Sequence, residues 1–132
     1  MSWDVMIFNL KRKVDSVDEI DESVLVNIGT KVNFKKIMTD NYRDIIWDKD
    51  WGKIERKDFS IEFSLGDSDE PFSNTLFHLY GENAIYEVIE LCKKNNWQLF
   101  DTGLEQMLDL DKPETNGYKN HQAYVRQILN ER

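Results

Sequence analysis

Cysteine is nearly absent. Cys92 is the single one in 132 residues, so no intramolecular disulfide can form, and the expected setting is a reducing, cytoplasmic one. Proline and glycine are scarce, with two and six residues, which excludes a linker-rich or disordered chain. No apolar run approaches the roughly 20 residues that cross a bilayer. The first apolar stretch is short and broken by Asp4, and Lys11, Arg12 and Lys13 follow it rather than precede it, unlike a signal peptide. Positive charge is in deficit, with 17 Lys and Arg against 25 Asp and Glu, a net charge of −8. A general nucleic-acid binder needs a basic footprint to displace counterions. An anionic membrane surface would repel this chain for the same reason. The excess suits a basic protein as partner, because complementary fields speed encounter.

Metal and nucleotide signals are lacking too. The two histidines, His78 and His121, and the lone Cys92 form no CxxC or HxxxH pair, so no zinc site is expected. No GxGxxG, GxxxxGK[ST] or GxSxG occurs, and no cofactor or catalytic nucleophile is predicted. The acidic loop 66–71 lacks the ligand spacing of a calcium loop and reads as a solvated turn.

What is present is an apolar pattern sufficient for one domain spanning 1–132. Residues 2–10 alternate with apolar side chains on both faces, as a central strand does. Residues 11–27 read as a charged loop, pinned by Val14, Val17 and Ile20. Thr30 is a candidate N-cap for a helix ending near Asp40 and Asn41, with Phe34, Ile37 and Met38 on one face. Strands follow over 53–56, 59–65 and 74–80; the middle one alternates Phe59, Ile61, Phe63 and Leu65 against Ser60, Glu62 and Ser64. A helix over 83–95 carries the stripe Ile85, Val88, Ile89 and Cys92. A strand over 97–101 and a C-terminal helix over 118–129 complete the order. The predicted class is α+β: a mainly antiparallel sheet of about five strands, two helices on one face in a ferredoxin-like variant, and a C-terminal helix.

Two constellations invite a functional reading. Trp47 and Trp51 are interleaved with Asp48 and Asp50, a composition that suits a protein-binding patch. If the adjacent strands pair, Glu62 faces His78 across the ladder. Such a pair can do acid–base work, or be one polar member of a sheet face. The function expected first is a non-enzymatic protein-binding module using Trp47, Asp48, Asp50, Trp51, Glu62 and His78. The alternatives are a small ligand-binding protein or enzyme centred on Glu62 and His78, and a structural homodimer subunit.

The start "MSWDVMI", the "DWGKIE" entry to "FSIEFSLG", the "FHLYG" strand before a helix and "LFDTG" after it resemble a family of small bacterial proteins of unknown function. The resemblance covers Ser2 to Gly103 and implies membership without assigning catalytic residues. In size and charge the chain also resembles the immunity proteins of polymorphic toxin systems, which implies inhibition of a basic partner.

Overall fold

The computed structural model describes residues 3–118 and Arg126. Apart from Tyr118 and Arg126, the helix expected over 118–129 lies outside the described residues. In chain order the elements are β1 (Trp3–Phe8), α1 (Lys31–Asn41), β2 (Ile46–Asp48), β3 (Trp51–Glu55), β4 (Ser60–Ser64), β5 (Asn74–Tyr80), α2 (Ala84–Asn95), β6 (Gln98–Asp101) and β7 (Gln106–Met107). The strands form one antiparallel sheet in the order β2-β3-β4-β5-β1-β6-β7.

The chain is thus α+β, with seven strands among the described residues rather than about five. The two additions are β2 and β7, three and two residues long. Neither is long enough to display a period, and each is held by a hairpin to a stronger neighbour.

Alternation on the strands separates two faces. The inner face carries Val5, Ile7, Ile54, Ile61, Phe63, Phe77, Leu79 and Leu99, all essentially buried. Onto it α1 lays Phe34 and Met38, and α2 lays Ile85, Val88, Ile89 and Cys92, in one continuous core. Local chemistry starts and stops these helices. Thr30 and Asn33 form a capping box at the start of α1, which satisfies amide donors that the first turn leaves open. At the end of α2, Asn96 turns left-handed at φ 58°, and Lys93 and Lys94 complement the negative end of the helix.

Gly52 explains how an edge hairpin packs on this core. A Cβ at Gly52 would stand 2.5 Å from the Phe63 ring and 2.9 Å from the Trp47 ring. Those rings meet edge to face at 5.6 Å, over the strip of bare backbone. Gly52→Ala is therefore expected to destabilise by about 1–3 kcal/mol, as overpacking does. A urea midpoint equal to that of the parent would contradict it.

The outer face is covered at one end. Residues 11–27 fold back over Phe8, Phe100 and Met6, burying Leu10, Val14, Val24 and Met107 in a second cluster. The tie includes Lys11 N–H to Val24 O and Val26 N–H to Asn9 O, both 2.8 Å. Of the expected pins, Val14 is buried and Ile20 packs on this cluster. Val17 does neither; it sits on an exposed 3-10 turn. Trp3, placed in the run of alternating residues with Val5 and Ile7, packs on the inner core.

Candidate functional site

The rest of the outer face, over β3, β4, β5 and the start of β1, is a polar row between aromatic side chains. Register places Lys53 opposite Glu62, Glu62 opposite His78, and His78 opposite Asp4. The four side chains cross four strands in one line. Lys53 Nζ lies 3.8 Å from a Glu62 oxygen. His78 Nδ1 lies 2.8 Å from Asp4 Oδ1. With a carboxylate as acceptor, Nδ1–H is the donor, which leaves Nε2 as the acceptor of the neutral ring. Trp51 stacks along His78 with centroids 6.5 Å apart and planes at 17°, and it stays 40% exposed.

The structure divides the residues that sequence reasoning grouped. Trp51, Glu62 and His78 share the outer face, and Asp48, opposite Trp51 in the β2–β3 hairpin, is exposed at its rim. Trp47 turns inward. Its ring packs on Phe63, its indole N–H donates to Thr39 Oγ1 at 3.1 Å, and Lys35 Nζ stands 5.3 Å from its centroid. Asp50 sits in the hairpin turn and accepts from Lys31 Nζ at 2.9 Å, with Lys35 Nζ at 3.1 Å. Lys31 also donates to Gly66 O at 3.2 Å. Asp50 therefore ties α1, the hairpin and the 66–71 loop together. Glu62 and His78 face the same way, yet the partner of the imidazole Nδ1 is Asp4.

The hydrogen bonds from Lys31 and then Lys35 hold the Asp50 carboxyl below its ordinary 3.8. A carboxyl with a lowered folded value stabilises above its unfolded value, and that contribution is lost as pH falls through the folded value. On acidification below 3.8 the parent should lose stability in a step that Asp50→Asn lacks. Superimposable acid limbs in urea titrations of the two proteins would show that the ion pair contributes nothing.

A second polar centre lies at the end of the sheet beside Asp4. Asp101 is 2% exposed. Its carboxylate accepts from the Trp3 indole N–H at 3.2 Å, the Tyr118 hydroxyl, and the amides of Gly103 and Leu104 at 2.9 and 3.1 Å. The Trp3 and Tyr118 rings stack with centroids 5.8 Å apart and planes at 8°. Burial first, and the Asp101 carboxylate second, push the Tyr118 phenol above its usual value. A pocket of about 610 Å³ opens here.

Sequence reasoning missed Asp4, Lys53 and Asp101. The period-2 alternation puts Asp4 on the face opposite Trp3 and Val5, but its partner depends on strand order. Among the described residues no group of three or more His, Cys, Asp or Glu side chains could hold a metal ion. Burial pushes the Cys92 thiol up, which disfavours its nucleophilic form. No described helix is long and apolar enough to cross a membrane.

No protein-family model matches the chain, no curated protein matches it, and no solved structure matches it.

Proposed function

We propose that the protein is a non-enzymatic binding module that docks a basic protein partner on the open part of its outer sheet face. The observation that carries this reading is Trp51, exposed and stacked on His78, beside the carboxylates of Asp4 and Glu62 in a chain of net charge −8. A rigid exposed aromatic is the usual hot spot of an interface. Carboxylates around it steer a basic partner and reject an acidic one. Covering a basic active site needs no chemistry of the binder itself, so the reading extends to an immunity or antitoxin-like inhibitor working in the cytoplasm. The strand order β6-β1-β5-β4 with two crossover helices supports a ferredoxin-like core, to which β2, β3 and β7 are added. The resemblance to small bacterial proteins belongs with this reading.

The test is capture from lysate of the source cells on the tagged full chain, at low and then high salt, followed by affinity measurement with the protein retained. A basic protein held at low salt should be released at high salt. Trp51→Ala should weaken it by roughly 30-fold or more, as loss of a hot-spot aromatic does. Undiminished affinity of that variant would overturn the assignment of the face. A stable dimer by light scattering would give the face to a second copy of the chain instead.

The Asp4–His78 contact at 2.8 Å favours one second reading. An imidazole oriented by a carboxylate through Nδ1 can take a proton at Nε2, with Glu62 beside it. A small-molecule transformation abolished by His78→Gln and by Asp4→Asn, in folded variants, would replace the binding module by an enzyme.

A further inference from the structure

The open part of the outer face is two rows deep. One is the polar row of Lys53, Glu62, His78 and Asp4. Two residues along each strand, on the same face, come Trp51, Ser64, Leu76 and Met6. Trp51 stands opposite Ser64, and Leu76 opposite Met6. Ser64 and Leu76 are one step beyond Phe63 and Phe77, the last pair of β4 and β5. This second row lies about 7 Å from the first and runs about 14 Å across three strand spacings. Leu76 and Met6 are half-buried and make an apolar floor, with Trp51 at its end. A groove of about 390 Å³ lies over this floor.

The wall opposite the polar row is the 66–71 loop, with Glu70 and Pro71 on the groove. It is pinned at both ends. Lys31 Nζ donates to Gly66 O at 3.2 Å and pairs with Asp69 Oδ1 at 3.6 Å. At the other end Ile28 N–H donates to Phe72 O at 2.7 Å, and Phe72 N–H to Gly29 O at 3.0 Å. A groove held in shape asks little ordering of itself when it is filled.

Acidic side chains flank the floor on both sides, Asp4 and Glu62 on the row and Glu70 on the loop. Lys53 is the cation of the row, and it lies 3.8 Å from carboxylate oxygens of both Glu55 and Glu62. An apolar line between acidic margins complements an apolar stripe between basic ones. The strands beneath, β4, β5 and β1, each have neighbours on both sides, so the face offers side chains and no free edge for an added strand. A helix meets such a face with a stripe, as α1 and α2 do on the inner side.

From this arrangement we infer that the groove over Met6 and Leu76 receives an amphipathic helix of the basic partner, about three turns long. Its apolar stripe rests on Trp51, Leu76 and Met6, and its flanking Lys or Arg side chains face Asp4, Glu62 and Glu70. The inference rests on the reading under Proposed function for the existence of a partner; the shape and charge of the groove stand apart from it.

The test uses the full chain labelled with ¹³C-methyl methionine. The probe is acetyl-Lys-Leu-Ala-Ala-Leu-Lys-Ala-Lys-Leu-Lys-Ala-Leu-Lys-amide, whose leucines form one helical stripe with lysines on both flanks. The Met6 methyl, assigned by its loss in Met6→Leu, reports from the floor. Met38, fully buried on the inner side, is the control. The Met6 signal should move saturably while that of Met38 stays. An isomer of the same composition, its leucines spread around the helix, should bind roughly tenfold more weakly or worse, since at least one leucine loses its burial. The analogue with Glu for every Lys should not bind. Glu62→Gln with Glu70→Gln should weaken the probe several-fold. Leu76→Lys sets a cation on the floor and should abolish the response in a protein whose Met38 signal is kept. Equal binding of probe and isomer, or a Met6 signal that stays still at millimolar probe, would overturn the inference. A Met6 signal that shifts on dilution of a dimer gives the groove to a second copy and overturns it too. If the probe binds as expected and no protein is retained from lysate, the groove holds and the docking function falls. If a partner is retained and lost in Trp51→Ala, yet leaves Met6 unmoved, the function holds and the groove falls.

Discussion

Phe34→Ala should lower the unfolding free energy by about 3–5 kcal/mol in urea denaturation, the range for a buried phenylalanine cut to alanine. The ring is fully buried at the point where α1 meets the sheet. It lies edge-on to Phe63, Phe72 and Phe77, with centroids at 5.9, 5.6 and 6.3 Å. It stacks on Trp97 at 5.8 Å. Four aromatic neighbours fixed from separate elements cannot close over the void, so the cavity cost adds to the lost transfer energy. Each lost aromatic pair adds about 0.5–1.5 kcal/mol beyond its area. Domains of this size are stable by only about 5–15 kcal/mol, so this one side chain decides a large share of the total. Phe34→Leu, which keeps most of the volume, should cost about 1 kcal/mol. A loss below that for the alanine variant would mean that α1 is not docked as described.

Asp101→Ala should cost about 3 kcal/mol, because it strands four donors at once. Each buried donor left without an acceptor costs about 1–3 kcal/mol. The sum is not reached, since the Tyr118 hydroxyl and the 103–104 turn can rotate toward water through the adjoining pocket. A second readout separates this from a simple packing loss. Removing the carboxylate should bring the Tyr118 phenol down toward its ordinary 10.0, seen as earlier phenolate absorbance in an alkaline titration. The parent should lose stability as pH rises above 10.0, because the unfolded phenol then releases a proton that the folded one keeps. An alkaline limb unchanged in the variant would show that Asp101 does not govern Tyr118.

Local chemistry was legible and long-range pairing was not. The bounds of β5, Asn74–Tyr80, follow from an alternating run that Gly81 closes. The stripe on α2 and the cap at Thr30 follow from spacing and side-chain chemistry. The opposition of Glu62 and His78 follows because consecutive strands tend to be neighbours. The contact between Asp4 and His78 spans 74 residues, and that between Trp3 and Asp101 spans 98. No window of sequence contains both partners. The division of Trp47 from Trp51 has another cause. A two-residue turn sets Trp47 opposite Gly52 and Asp48 opposite Trp51, so the two indoles fall on opposite faces. The strand β2 that makes this so has three residues among acidic neighbours, and it reads as a solvated loop until its partner is known.

The place of β1 has a consequence for the birth of the protein. This strand precedes the others of the sheet along the chain, yet its hydrogen-bonding partners are residues 74–79 and 98–101. While the ribosome builds the intervening chain, the β2–β5 meander can zip from neighbour to neighbour, but the strand that joins it to β6 waits. Closing so distant a pair requires a large loss of loop entropy before any contact repays it, which slows assembly. During that interval Val5, Ile7, Met6 and Phe8 present apolar surface on both sides of an unpaired strand, the kind of surface on which nascent chains associate wrongly. The nascent chain is therefore most exposed to aggregation between the synthesis of β1 and that of β6, and a holding chaperone would find its target at β1.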